Sequence, residues 1–593
     1  MTHPLLISLV IAAALCRVSH AAQPAPPNVV IILTDDQGYG DLSCHGNPVL
    51  KTPHLDQLHA ESVRLTDFHV SPVCSPTRAA LLTGRDPLRA GVWTTTTDRS
   101  RLLADIPTLA DLFAADGYRT GMFGKWHLGD APPHRPQDRG FQETLYLPGG
   151  MTGFAAETWD NDVIDPVFHH NGAREKFTGY REDILFNKAM EWMSECQRNG
   201  QPFFTYLATF SPHGPCLVPE KYASPYRKGP GKQAADFLGM VANIDENVGR
   251  LEAFLRENGL RDNTLLVFMS DNGGTGGVRI HNSGMKGNKG DAYEGGHRVP
   301  CFFRWPDGGL GGGRDVGGLT AHIDLLPTLA ELCGLEKPLP KGLDGVSLAP
   351  LLRGETTTAP DRSLFVRYDP GIKSDPQYRP DSYDKAAVLQ GRWRLIDGRE
   401  LYDIQADPGQ KKDVASEHPE IVAQLRDAQD AFWKEIHPGT FHLSRPTLLG
   451  SEEILLTPLD ARPTTGDSVA QQAQIRQGKP TFGEYSVRLP GKATLHIEAR
   501  RWPRESGAAL TAPLSAFKGP LVKRPPGKPL PIHSLRVRVG DVERTIPAAP
   551  DAPAIIAELP VEPGEHILTA RFLDAGGHEL TDAYFLHLST TKP

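Results

Sequence analysis

Seven cysteines are present, yet none forms a Cys-x-x-Cys pair or any other paired spacing. That gives no sign of a zinc ribbon or a disulfide framework. Cys16 lies in an N-terminal apolar run; Cys44, Cys196, Cys216, Cys301 and Cys333 are scattered, and Cys74 stands apart for reasons given below. The chain also lacks an excess of positive charge: 63 Lys and Arg against 71 Asp and Glu leave a net charge of −8. No global field draws it to nucleic acid or to an anionic membrane. Anion recognition must therefore be local. Nor is there an apolar run long enough to span a bilayer. Residues 5–15 are too short for that and end near Ser19-His20-Ala21-Ala22, which reads as a signal peptide over 1–22 cleaved near Ala21 or Ala22. Its first four residues hold no Lys or Arg, and Leu15 before Cys16 argues against a lipid anchor. The expectation is a periplasmic or secreted protein without stable membrane insertion and without a nucleic-acid partner.

What is present is globular material in quantity. The 593 residues, 39% hydrophobic and 23% charged, exceed one ordinary domain. Asn28–Thr34 is apolar almost throughout, as a strand buried on both faces would be. It ends in Asp35-Asp36. Residues 202–209 and Thr264–Ser270 repeat the pattern, the first delivering Ser211-Pro212-His213 and the second Asp271-Asn272-Gly273. Functional groups of α/β sheets gather at such carboxyl ends, and four hard oxygen donors at two strand ends suit Ca²⁺ or Mg²⁺ better than zinc. Residues 181–196 and 234–258 alternate with these strands as helices, and a short helix at Leu109–Ala115 precedes a strand at 118–123. A helix is also expected over 321–333. Lys125 and His127 then follow at a spacing of two, which on extended chain aims both to one face.

Cys74 opens a helix of its own. Pro76 suits a first turn, Ala79 to Leu82 are strong helix formers, and Gly84 is a stop signal. A side chain at a helix start meets unpaired N–H groups and the positive dipole end, a setting for anions. Arg78 lies one turn along the same face. The loop 273–296 is glycine-rich and carries Lys289, a flexible point charge. Residues 363–436 read as short strands followed by a helix, a small α+β subdomain. Six strands at 484–489, 492–499, 534–539, 554–559, 566–572 and 583–588 form an antiparallel β module without a clear helix. Residues 511–531, rich in Pro and Lys, are expected as an exposed loop. Residues 145–177, Trp159, His169 and His170 among them, stand as candidates for part of the pocket rim, with a histidine-rich surface turn as the alternative.

Several of these stretches carry a resemblance. Asp35-Asp36, Cys74-Ser75-Pro76-Thr77-Arg78 with Leu82-Thr83-Gly84-Arg85, Gly124-Lys125-Trp126-His127, Pro212-His213, Asp271-Asn272-Gly273, and Lys289 within Lys-Gly-x-x-Tyr-Glu-Gly-Gly resemble the motifs of type I sulfatases in order and separation. Leu401-Tyr402-Asp403 with Asp407-Pro408 resembles the family's C-terminal subdomain. The resemblance implies an alkaline-phosphatase-like α/β fold, a large mixed sheet sandwiched by helices. The expected division is a catalytic domain at 28–350, a small α+β subdomain at 360–438, and an extra β-sandwich-like module at 451–593. It further implies a sulfuric ester hydrolase acting on aryl or carbohydrate sulfates, with Cys74 oxidised to formylglycine (3-oxoalanine) by a dedicated maturing enzyme. One Ca²⁺, or Mg²⁺, would be held by Asp35, Asp36, Asp271, Asn272 and the modified Cys74. Arg78, Lys125 and Lys289 would contact sulfate oxygens or steady the nucleophile, His127 would orient it, and His213 would protonate the leaving alcohol. Two alternatives stand beside this: a phosphonate or phosphate ester hydrolase of the same superfamily, and a non-catalytic binder of sulfated glycans using its C-terminal module.

Overall fold

The Asn28–Thr34 strand divides the interior. Val29, Ile31 and Leu33 face one core, while Val30 and Ile32 face a second. A strand apolar at nearly every position must be covered on both sides. In the computed structural model, which describes residues 26–229, 231–368, 383–436, 443–465 and 468–591, this strand lies inside a ten-stranded mixed sheet. The signal-peptide expectation for 1–22 falls outside the described residues. Thr264–Ser270 and Phe203–Ala208 flank the central strand in parallel, and Arg119–Gly124 and Glu143–Tyr146 extend the parallel run. Cys301–Arg304 runs antiparallel on the other side.

Helices cover both faces. Arg181–Arg198 and Lys232–Glu257 bury Leu185, Trp192, Ile244 and Leu251 against the Val30 side. Cys74–Thr83, Leu109–Ala115 and Leu325–Leu332 bury Leu81, Phe113 and Leu329 against the other. Burying each such side chain contributes about 1.5–3 kcal/mol. The mixed sheet sandwiched by helices is thus present as expected. The helix expected over 321–333 resolves into a 3-10 turn, His322–Asp324, and the helix Leu325–Leu332. Pro327 then sits in a first turn, where its missing N–H leaves no bond unmade.

Ser363–Arg367, Ala386–Gln390, Trp393–Ile396 and Glu400–Asp403 form a four-stranded antiparallel sheet, and Leu425 of the Pro419–Ile436 helix packs on it. Beyond it lies a two-layer β module. One layer is built on Phe482–Leu489, Gly564–Leu573 and Ser534–Val539, the other on Phe585–Thr591, Ala493–Arg500 and Ile555–Val561. Leu495, Leu535, Leu568 and Leu588 fill the space between them.

This module departs from its expectation in two ways. It contains a short helix, Gln472–Arg476. Residues 511–531 are largely exposed, as expected, but not free of structure: Phe517–Lys518 pairs with Lys523–Arg524, Val522 is buried, and Leu521 and Val522 both donate to Asp162. The module is also pressed onto the domain of the ten-stranded sheet. Arg101 and Asp460, both buried, form an ion pair across the boundary at 2.5 Å. No helix among the described residues is long and apolar enough to cross a membrane.

Candidate active site

Four segments end together because the sheet register brings them together. Thr34 lies opposite Ser270, and Leu33 opposite Ala208. The backbone continues these pairings past the strand ends: Asp271 N donates to Thr34 O, Asp35 N to Ser211 O, and Lys125 N to Ala208 O. Asp35, Asp36, Asp271, Asn272 and Lys125 therefore converge from residues far apart in the chain, and all five are buried. The Cys74–Thr83 helix points its first residue at them. The ligating atoms of Cys74, Asp35 and Asp271 all lie within 4.8 Å of one another.

The charges are laid out in pairs. Lys125 Nζ stands 3.0 and 2.9 Å from the two oxygens of Asp35. Arg78 gives Nε and Nη2 to Asp271 Oδ2 at 3.2 and 2.7 Å, and Nη1 to the Lys125 carbonyl at 2.8 Å. Lys289 Nζ is bonded to Asp36 Oδ1, which also accepts Asn272 Nδ2 at 2.9 Å. His213 Nε2 is 3.6 Å from Asp36 Oδ2. Unlike the others, His213 and Lys289 keep part of their side chains in solvent, 15% and 18%, so they mark the open side of the cluster.

These neighbours decide the protonation states. Burial pushes the Asp35 carboxyl up, but Lys125 and then His213 bring it below its ordinary value. Asp36 behaves alike, with His213 and Lys289 outweighing burial. Asp271 goes the other way: burial and the nearby Asp35 charge raise it despite Arg78. Burial, Lys125 and Arg78 hold the His127 imidazole well below its usual range, with only a weak opposing contact from the Thr95 backbone. His127 is a neutral base inside a cationic wall.

A metal ion fits this donor set. Asn272 Oδ1 is buried without a hydrogen-bond partner, an orphaned hard acceptor beside three crowded carboxylates. Burial and the neighbouring Asp35 charge raise the proton affinity of Asp271, and a dication bound by oxygens would offset both. Among the described residues, two groups away from this cluster are also geometrically eligible: Cys44, His45 and His59, and His69, Glu294 and His297. Arg394 already occupies Glu294 Oε1 at 2.8 Å, and the His69 and His297 Nδ1 atoms bond each other at 2.9 Å. The six cysteines of the described residues are all free.

Two readings of the sequence need correction. Lys125 and His127 do not project from an extended segment. The strand ends at Gly124, and both Gly124 and His127 have left-handed φ, 117° and 61°. Ser75 Oγ holds the His127 carbonyl at 2.9 Å, tying this turn to the Cys74 helix. Of the 145–177 stretch, Trp159, His169 and His170 do not face the site. Trp159 packs on Trp502 and Phe585 of the β module, His169 lies half-buried beside Tyr146, and His170 bonds Glu143 and Glu175. What does lie against the site is the loop beginning at Gly149-Gly150. A Cβ on Gly150 would stand 2.7 Å from His127 Cγ. The glycine doublet was a legible sign of close backbone approach; its target was not. Glu182 was also missed: buried, it accepts Ser211 Oγ at 2.9 Å and so braces the turn before His213.

Comparison with known proteins completes the picture. Residues 27–335 match the family described as Sulfatase, and residues 288–434 match the family described as N-sulphoglucosamine sulphohydrolase, C-terminal. Arylsulfatase A of Homo sapiens is 33% identical over 465 residues, covering 68% of this chain and 87% of that protein. N-acetylgalactosamine-6-sulfatase of Sus scrofa is 33% identical over 366 residues, covering 57% and 68%. The solved structure of Ps i-CgsB in complex with k-i-k-neocarrahexaose matches with a TM-score of 0.63 at 29% identity, over 71% of this chain and 95% of that one.

Proposed function

The chain belongs to the sulfatase family and is a sulfuric ester hydrolase; from that premise we propose that it is a formylglycine-dependent enzyme acting on carbohydrate or aryl sulfates outside the cytoplasm. The observation that carries the proposal is the place of Cys74: buried, first in its helix, and grouped with the oxygens of Asp35 and Asp271. A buried thiol there has no structural need of three carboxylates and three cations around it. Oxidised to an aldehyde and hydrated, side chain 74 would offer one hydroxyl to attack sulfur and a second whose ionisation lets sulfate leave by C–O cleavage.

Asp35, Asp36, Asp271 and Asn272, with the modified residue 74, are the groups that would hold Ca²⁺, or Mg²⁺. Bound there, the ion would polarise the sulfate and offset its charge. Arg78 and Lys125, fixed by Asp271 and Asp35, line the buried side of the site and are charged donors for sulfate oxygens. Lys289 approaches from the open side. His127 stays neutral, and neither ring nitrogen has a well-formed hydrogen bond, so it is ready to accept a proton from side chain 74. His213, at the solvent edge beside Asp36, is placed to protonate the departing alcohol. A carbohydrate substrate is supported by the likeness to N-acetylgalactosamine-6-sulfatase and to a structure holding a carrahexaose.

The test is peptide mass analysis of the Cys74 peptide from the native host, combined with sulfate release from an aryl sulfate. CHO in place of CH2SH together with sulfate release is the expected result. An intact thiol in an active preparation overturns the formylglycine reading. Turnover of the paired aryl phosphate or phosphonate without any sulfate release would overturn the sulfatase reading.

A further inference from the structure

His127 has no well-formed hydrogen bond to fix its ring. A buried imidazole in that state takes its orientation from what packs against it. Two residues of the 149–158 loop do so: Gly150, whose backbone lies against the ring, and Phe154, whose ring centroid is 6.3 Å away and edge-on. Ser75 fixes the His127 backbone and Thr95 touches the ring, but the packing of the ring itself depends on what holds this loop.

The C-terminal module holds it. Gln472, fully buried, sits on the short helix that the sequence did not announce. Its backbone N donates to Gly153 O at 2.8 Å. Its side-chain Nε2 faces the carbonyls of Phe154, Glu157 and Thr158 at 3.1, 3.2 and 3.3 Å, and its Oε1 accepts Asp160 N at 3.1 Å. The side chain thus joins backbone groups of the loop's second half, adding to the bonds that Phe154 O and Thr158 O already accept from Glu157 N and Asn161 N. Ala155 N adds a bond to Ala470 O at 2.8 Å, and Phe154 bridges Gln471 as a strand would. Arg476, one helical turn after Gln472, grips both oxygens of Asp160 at 2.8 and 2.7 Å.

We infer that the C-terminal β module is a working part of the catalytic cleft, and that Gln472 is a positioning residue that holds the 149–158 loop against His127. The inference rests on His127 acting in the reaction. It differs from an appended glycan-binding module, which would leave turnover of a small substrate untouched. It also explains why the module packs onto the catalytic domain through buried polar contacts.

The experiment uses the full chain carrying Gln472→Met, a replacement of similar length that cannot make the backbone bonds. The milder Arg476→Lys guards against failure to fold. Steady-state sulfate release from a small aryl sulfate is measured beside hydrogen–deuterium exchange of the 149–158 peptide and of the Thr264–Ser270 strand. The expected result for Gln472→Met is a kcat lower by about tenfold or more, KM within about threefold, and faster exchange in 149–158 alone; Arg476→Lys should move the same quantities less. Faster loop exchange with an unchanged kcat overturns the inference, as does a lower kcat with unchanged loop exchange. A wild-type chain with no sulfate release would strike the reading of the site instead, and the exchange comparison would then decide whether the module holds the loop.

Discussion

Replacing Gly150 by Ala should push His127 out of place. A Cβ at position 150 would stand 2.7 Å from His127 Cγ, 2.8 Å from its Cβ and 2.9 Å from its Cδ2. Carbon atoms in contact settle near about 3.5 Å, so ring and loop must part by about 0.8 Å. The clash is with the root of the side chain, which cannot swing aside as a flexible tip would. Gly150 also has φ of +74°, which costs an L-residue about 1–2 kcal/mol, and overpacking adds about 1–3 kcal/mol. Misplacing a reacting group by about 1 Å lowers turnover by about a hundredfold. A fall in kcat of about 30- to 100-fold is expected, with KM for a small aryl sulfate little changed. The assay is initial-rate sulfate release by Gly150→Ala, His127→Ala and the double variant. Acting through one group, the two changes should not add: the double variant should lie within about twofold of His127→Ala. A Gly150→Ala enzyme within about threefold of the parent kcat, or fully additive losses, would refute the reasoning.

Arg101→Met strands the buried Asp460 carboxylate and should cost about 3–5 kcal/mol in urea unfolding, whereas Arg101→Met with Asp460→Leu should cost less than the single change. A double-variant loss equal to the sum of the separate Arg101→Met and Asp460→Leu losses would show that the pair is not coupled. Chelation with EDTA should abolish sulfate release and lower the melting temperature, with Ca²⁺ restoring both; at a hundredfold excess over Kd the ion adds about 2.7 kcal/mol. An enzyme indifferent to the chelator would exclude a metal at Asp35, Asp36 and Asp271. His134, remote from these carboxylates, is held down to about 3, chiefly by burial and then by Arg101. Its folded value lies below the unfolded one, so the unfolded chain takes up the proton first. Its contribution to stability is present above about pH 6.5 and is lost as pH falls toward 3, with a slope of about 1.4 kcal/mol per pH unit. His134→Gln, if it keeps the bond to the Leu102 carbonyl, should flatten that slope in acid denaturation curves.

The residues of the site were legible because each is announced over a short window. An unbroken apolar strand followed by two acids, or a cysteine before Pro and Arg at a helix start, expresses local propensity and burial, and these act within a few residues. The same windows held the rules for the antiparallel module, whose strands alternate cleanly: the Ile555–Val561 strand shows every second residue buried. Short windows failed where the partner was far away. Trp159 read as a rim residue because an exposed-looking aromatic near a pocket and an interface anchor are indistinguishable until Trp502 and Phe585 are beside it. Residues 511–531 are largely exposed, as their Pro and Lys suggest; what the window did not show is the burial of Val522 and the bonds to Asp162, which depend on residues more than three hundred positions earlier.

The sequence by itself determined which groups could do chemistry: the oxygen donors at two strand ends, the cysteine at its helix start, the basic residues and the two histidines. Only the tertiary structure decided how they are held. The pairing of Thr34 with Ser270 sets the acids side by side, the left-handed turn at His127 directs its ring inward, and Gln472 reaches across from another module to the loop that packs on that ring. Local propensity selects elements residue by residue, whereas close contact between 150 and 127, or 472 and 158, exists only after the cores on both faces of the sheet have been buried and the chain has no other way to satisfy the polar groups left inside.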